Sequence, residues 1–134
     1  MIEKTFQELI EVDGVVGRMY KTDPTLERSK FGYGYTRFFK KNILPVNTEY
    51  TEALNDIYVN WAMENEQTKE ILVDRNNPRG FKYTKEGLKK VMELERQLRK
   101  EYDEKIIEVE PYISSYVPEG LADGDRELLE GLII

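Results

Sequence analysis

The stretch Arg28–Asn42 reads RSKFGYGYTRFFKKN. Phe31, Tyr35, Phe38 and Phe39 fall at i, i+4, i+7 and i+8, which is the spacing of one helical face, and an aromatic face of that width belongs against a core. Lys30, Arg37 and Lys41 lie away from it. The segment therefore predicts a helix with an aromatic inner side and a basic outer side. Asp23-Pro24 starts it, with Asp23 as N-cap and a proline in the first turn, where its missing N–H is not needed. Pro45 interrupts or kinks it.

Upstream, Thr5 followed by Glu8 matches a capping box and opens an apolar stripe of Phe6, Leu9, Ile10, Val16 and Met19 or Tyr20, so a helix is expected from about Thr5 to Tyr20. Gly14 and Gly17 weaken it by roughly 1 kcal/mol each against alanine. Downstream, Tyr50, Leu54, Ile57, Tyr58 and Trp61 share one helical face, the strongest helical pattern in the chain. The pattern then changes. Ile71-Leu72-Val73 and Phe81-Lys82-Tyr83 are β-prone and flank the turn-forming Asn76–Gly80, which predicts a hairpin. Thr84 caps a long amphipathic helix with Leu88, Val91, Met92, Leu98 and Tyr102 on its apolar side. Ile106–Glu110 reads as a strand ended by Pro111, and a short helix is expected around Arg126–Leu132. The whole predicts an α+β fold: a mostly helical single domain, residues 1–134, with a small β-hairpin or minor antiparallel sheet. Trp61, Tyr58, Leu88, Met92 and Leu98 are expected to meet in the core. Leu132, Ile133 and Ile134 either dock into it or meet another subunit.

With 134 residues, 40% hydrophobic and 11% aromatic, the chain can bury one core but not two. It has no histidine and no cysteine, which excludes disulfides, thiol nucleophiles, zinc and iron–sulfur sites, and imidazole catalysis. No apolar run approaches the ~18 residues of a membrane span, and the charged start MIEKTFQELI argues against a signal peptide. A net charge of −6 argues against general nucleic-acid binding. That charge is uneven: from Glu101 onward ten acidic residues face two basic ones, leaving residues 1–100 near +2. Between Arg28 and Lys41 there is no acid at all. A basic surface on an acidic protein is the result.

The remaining candidates for chemistry have plain structural readings. Glu64 with Glu66, or Asp123 with Asp125, are pairs suited to acid–base work or Mg²⁺, but the latter pair complements the N-terminus of the final helix, and further ligands of a calcium loop are missing. Ser114-Ser115 has no base nearby in sequence. Gly32 and Gly34 suggest a phosphate loop only superficially, because no strand precedes them and no Walker lysine follows. No enzyme activity and no cofactor are therefore expected. The positive candidate is the basic-aromatic run itself. Arg28, Lys30, Arg37 and Lys41 can neutralise phosphates while Tyr33 and Tyr35 stack on a base, and Arg75 and Arg79 in the expected hairpin turn add a second basic contact. The plainer alternative makes the aromatics core and the lysines a solvated face.

The order SKFGYGYTRFFKKN, WAMENEQTKEILVD, NNPRG with FKYTKEG, EKIIEVEPY and finally VPEGLADGDRELLEGLI resembles a family of short bacteriophage and prophage proteins over roughly residues 25–134. Such chains run as a KFAYA-type helix, a second helix, an acidic turn, a short strand, a helix, a strand and a terminal helix. Gly32 and Gly34 stand where the family tends to have helix-favouring small residues, and Pro45 also departs from it. The resemblance implies a phage origin and an accessory role in the host cytoplasm or the virion, with no active site to carry over. Two functions suit it. One is a homo-oligomeric binding protein that counters host defence, by covering a host protein or by sequestering a nucleotide-derived immune signal, a small anionic ligand. The other is a virion assembly component of head, connector or tail.

Overall fold

Thr5 and Glu8 close the expected capping box: the Glu8 N–H donates to Thr5 Oγ1 and the Thr5 N–H to Glu8 Oε1, each at 3.1 Å. Helix α1, Phe6–Thr22, follows and buries Phe6, Leu9, Val12, Val15, Val16 and Met19. The structure is a computed structural model and describes residues 1–116 and 118–134. Val117, which opens the closing run quoted above, lies outside the described residues. About 60% of the chain is helical, with a small antiparallel sheet, as the α+β reading expects. The chain groups into two compact units, Met1–Asn47 with Asp103–Ile134, and Thr48–Tyr102.

In the first unit, Asp23 caps a separate 3₁₀ turn, Pro24–Arg28, instead of the aromatic helix. Ser29 then adopts an extended conformation and caps α2, Lys30–Phe38, by accepting from the Gly32 N–H at 3.3 Å. Pro45 does not end this helix. A π turn, Phe39–Ile43, leads straight into α3, Leu44–Trp61, with the Leu44 N–H donating to the Phe39 carbonyl. The widened turn just ahead of Pro45 accommodates a ring that the carbonyl four residues earlier would meet in a regular helix. Strand β2, Ile106–Val109, pairs antiparallel with β1, Ile2–Thr5, in the register Ile2 to Val109 and Thr5 to Ile106. This sheet joins segments far apart in the sequence and is not a hairpin. Helix α5, Asp123–Leu129, takes Asp123 and Asp125 into its first turn, where acids complement its exposed N–H groups. The terminal residues dock. Leu132 and Ile133 are fully buried, and their carbonyls accept from Tyr112 and Ser114 N–H groups at 2.8 and 2.7 Å. Leu9, Phe31, Phe38, Ile43, Val109 and Leu129 meet them in one hydrophobic core.

The second unit contains the rest of α3 and α4, Lys85–Asp103, started by Thr84, whose Oγ1 accepts from the Gly87 N–H at 2.9 Å. The expected hairpin forms without a regular strand pair: Val73 bridges Phe81 antiparallel, the Lys82 N–H donates to the Leu72 carbonyl at 2.9 Å and the Asp74 N–H to the Gly80 carbonyl at 3.0 Å, and Glu64 bridges Ile71 beside it. Side chains fix the turn itself: Asp74 accepts from the Asn76 N–H, and Asn77 both donates to the Phe81 carbonyl and accepts from the Arg79 N–H. Buried here are only Gly87, Val91 and Tyr102. The core expected around Trp61 is not formed. Trp61 is 39% exposed and Met92 47%, while Tyr58, Leu88 and Leu98 are half-buried, because two helices and a bridged turn cannot enclose both sides of the apolar stripe. Polar contacts do more of the holding. Glu95 accepts from Arg79 Nη2 at 2.7 Å, from Arg79 Nε at 3.1 Å and from the Tyr58 hydroxyl at 2.6 Å. The Tyr83 hydroxyl donates to the Tyr58 carbonyl at 2.8 Å. Burial, reinforced by the bond to Glu95, pushes the Tyr58 hydroxyl up to about 12, so it remains a donor at any ordinary pH.

Candidate functional site

Helix α2 divides the basic-aromatic run between two environments. Phe31, Tyr35 and Phe38 are buried, and Phe39 packs half-buried beside them. On the outer side Tyr33, Thr36, Arg37, Lys40 and Lys41 surround a shallow, open groove. Tyr33 is 72% exposed. A large flat ring held out in water among three cations is the most distinctive feature of this surface.

The two glycines explain how the face is framed. A Cβ at Gly32 would stand 2.2 Å from the Glu27 carbonyl oxygen, so its absence lets the 3₁₀ turn lie directly on α2. A Cβ at Gly34 would stand 2.7 Å from Cε1 of Tyr112, so the Tyr112 ring rests on the helix backbone. The Arg37 guanidinium lies over that ring, 5.4 Å from its centre, a cation–π contact that orients the fork. Both glycines thus serve close packing within a helix and do not form a phosphate loop.

The π turn places the remaining parts. It turns Asn42 and Ile43 inward and leaves Lys40 and Lys41 outside. Buried Asn42 donates to the Phe38 and Glu110 carbonyls at 3.1 and 2.9 Å and accepts from the Glu110 N–H at 2.9 Å. This double bond-pair pins the chain after β2 against α2, which brings Glu110 and Tyr112 to the edge of the groove. The Glu110 carboxylate pairs with Lys41 Nζ. That partner, through hydrogen bonding and then charge, holds the carboxyl below its ordinary range.

Of the residues singled out in the sequence, Tyr33, Arg37 and Lys41 come together around the groove. Arg28 and Lys30 are exposed at the end of the 3₁₀ turn and the start of α2, and neither lines it. Tyr35 faces the other way. Its ring is in the core and its hydroxyl donates to Asp13, and burial followed by that bond raises its pKa strongly, so it is not a stacking surface for a ligand. In the second unit Arg75 is exposed in the turn, whereas Arg79 is engaged by Glu95. Arg79 therefore serves the fold. Lys40, Tyr112, Glu110 and Asn42 were not anticipated. Lys40 sits in the quoted run itself, and Asn42 is its one buried polar side chain, but nothing in residue spacing links Tyr112 to Gly34.

A deeper cleft in the same unit has Val15, Met19 and Leu26 among its lining, with Arg18, Asp23, Glu119 and Asp125 as its charged residues. Arg18 and Asp125 are bonded to each other at 3.2 Å, and the net acidity is the opposite of what a phosphate-bearing ligand needs. Among the described residues no group of three or more acids is placed to hold a metal ion, and no helix is long and apolar enough to cross a membrane. No family model matches the chain, and no curated protein and no solved structure matches it.

Proposed function

We propose that the outer face of α2 binds an anionic ligand bearing a flat ring, a nucleotide-derived molecule, and that the protein acts by holding it unchanged. The observation that carries this is Tyr33, exposed amid Arg37, Lys40 and Lys41. The ring offers a stacking surface worth about 1–3 kcal/mol per base, and the cations offer charge-assisted bonds to phosphate. Arg37 is already oriented by Tyr112, so less side-chain freedom is lost on binding. Lys41 exchanges Glu110 for the ligand. In the wider reading, supported by the sequence resemblance, this is a non-catalytic phage accessory protein that withdraws a nucleotide-derived immune signal in the host cytoplasm.

Calorimetry against cyclic dinucleotides and ADP-ribose-like nucleotides tests the reading. A saturable heat with at least one of them is expected, weakened about tenfold or more by Arg37→Ala, since one lost charge-assisted bond is worth about 1.5–3 kcal/mol. No heat and no thermal shift with any of them removes it. A second reading, a virion assembly component, is favoured by the exposed apolar side chains Val59, Trp61, Met63 and Met92 of the second unit. Mass spectrometry of purified particles separates the two, because a structural subunit is present in them.

A further inference from the structure

Helices α3 and α4 run antiparallel. The Tyr102 hydroxyl donates to Glu49 at 2.8 Å near one end, Tyr58 to Glu95 at 2.6 Å in the middle, and a Cβ on Gly87 would stand 3.4 Å from the Trp61 carbonyl at the other. Each helix also carries an exposed stripe. On α3 Glu52, Asp56 and Val59 fall at i, i+4 and i+7. On α4 Lys85, Lys89 and Met92 have the same spacing, extended by Arg96 and Lys100. All eight residues are exposed, and among the described residues none of the charged ones is in an ion pair. Val59 is 36% and Met92 47% exposed. One stripe is acidic with an apolar residue at its end, and the other is basic with an apolar residue at its centre.

We propose that these stripes are the two halves of a contact between copies of this chain, the acidic stripe of α3 in one copy lying along the basic stripe of α4 in the next. The shared spacing sets Glu52 against Lys85 and Asp56 against Lys89 when Val59 meets Met92. The partner is a second copy because the two stripes match each other in both charge and register. The thinness of the unit supports it: with Val91 and Tyr102 its only buried large side chains among the described residues, the helix pair leaves apolar surface that a neighbour covers. The two stripes are different surfaces on different helices, so the contact is heterologous. Each copy that joins leaves one stripe unused, and association continues past a dimer until a ring closes or a filament forms. This inference stands whether or not the α2 face binds a nucleotide.

Sedimentation velocity of the full chain over a wide concentration range is the test. The sedimentation coefficient is expected to rise beyond the value for a dimer, and to fall again in high salt, which screens exposed charges. The double variant Glu52→Lys/Asp56→Lys carries two basic stripes and Lys85→Glu/Lys89→Glu two acidic ones. Each alone is expected to lose self-association by about tenfold or more, and an equimolar mixture is expected to regain it, because every contact is complementary again. A variant that loses its helical circular dichroism is replaced by the milder Glu52→Gln/Asp56→Asn, for which weakened association is expected. A wild-type chain that stays monomeric, an assembly that stops at a dimer, variants that associate like the wild type, or folded variants whose mixture does not associate would each overturn the proposal.

Discussion

The two units solve the same problem with different materials. In the first, Leu9, Phe31, Phe38, Ile43, Val109 and Ile133 have essentially no exposed surface, and α1, α2, the strand pair and the docked terminus all close on them. In the second, Val91 alone among the described large side chains is so enclosed, with Tyr102 nearly so, and a partly buried Arg79–Glu95–Tyr58 cluster latches the bridged turn to the helices. A closely packed core resists deformation, so residues mounted on its outer side keep a fixed geometry. The binding face proposed on α2 requires that. A polar latch leaves apolar and charged helix surface uncovered, and the second unit presents that surface to its surroundings.

The largest expected effect that sharpens this contrast is in the first core. Phe31→Ala should cost about 3–5 kcal/mol in chemical denaturation, because the ring is fully buried and its neighbours cannot all collapse into the void. Loss of under about 1 kcal/mol would mean that the core is not closed there. Next is the latch. Burial raises the Glu95 pKa, but the bonds from Arg79 and Tyr58 outweigh it and leave it lowered overall. A carboxylate with a lowered folded pKa contributes stability that is complete above its ordinary value of 4.5 and is lost as pH falls through the folded value. Glu95→Gln should therefore destabilise by about 1.5–3 kcal/mol near neutral pH and by much less at acid pH, as read by urea melts at both. An equal loss at both would show that the charge is not what holds the turn. Smallest is Trp61→Ala, expected to cost about 1–2 kcal/mol, since only part of the side chain is removed from water. A loss as large as that of Phe31→Ala would erase the distinction between the units.

Local chemistry specifies part of the fold. The Thr5–Glu8 box, the aromatic stripe of α2, the Thr84 cap and the strand after Lys105 all follow from spacing and capping groups within a few residues. Strand β1 is not legible in this way, because Ile2–Thr5 acquire strand character only from a partner far along the chain. Nor is the π turn, which answers a steric demand from Pro45. The stripe containing Trp61 shows the limit most clearly: periodicity says which side of a helix is apolar, and how much of that side is covered depends on elements far away in the chain. The candidate site has the same history. Arg37 and Lys41 are legible as outer positions of a helix and Tyr33 as a candidate stacking ring, whereas Tyr35 suits a core as well as a ligand. Tyr112 and Glu110 reach the groove through Asn42, a bond pair between distant segments that no spacing rule contains.

Under the proposed function, opposite faces of α2 carry fold and binding. Backbone and methyl NMR of the full chain, titrated with ADP-ribose and with a cyclic dinucleotide, tests that directly. Shifts centred on Tyr33, Arg37, Lys41 and Tyr112, with Phe31 and Phe38 unmoved, are the predicted result. Shifts centred on the second unit or on the acidic cleft around Arg18, or none with either probe, would contradict it.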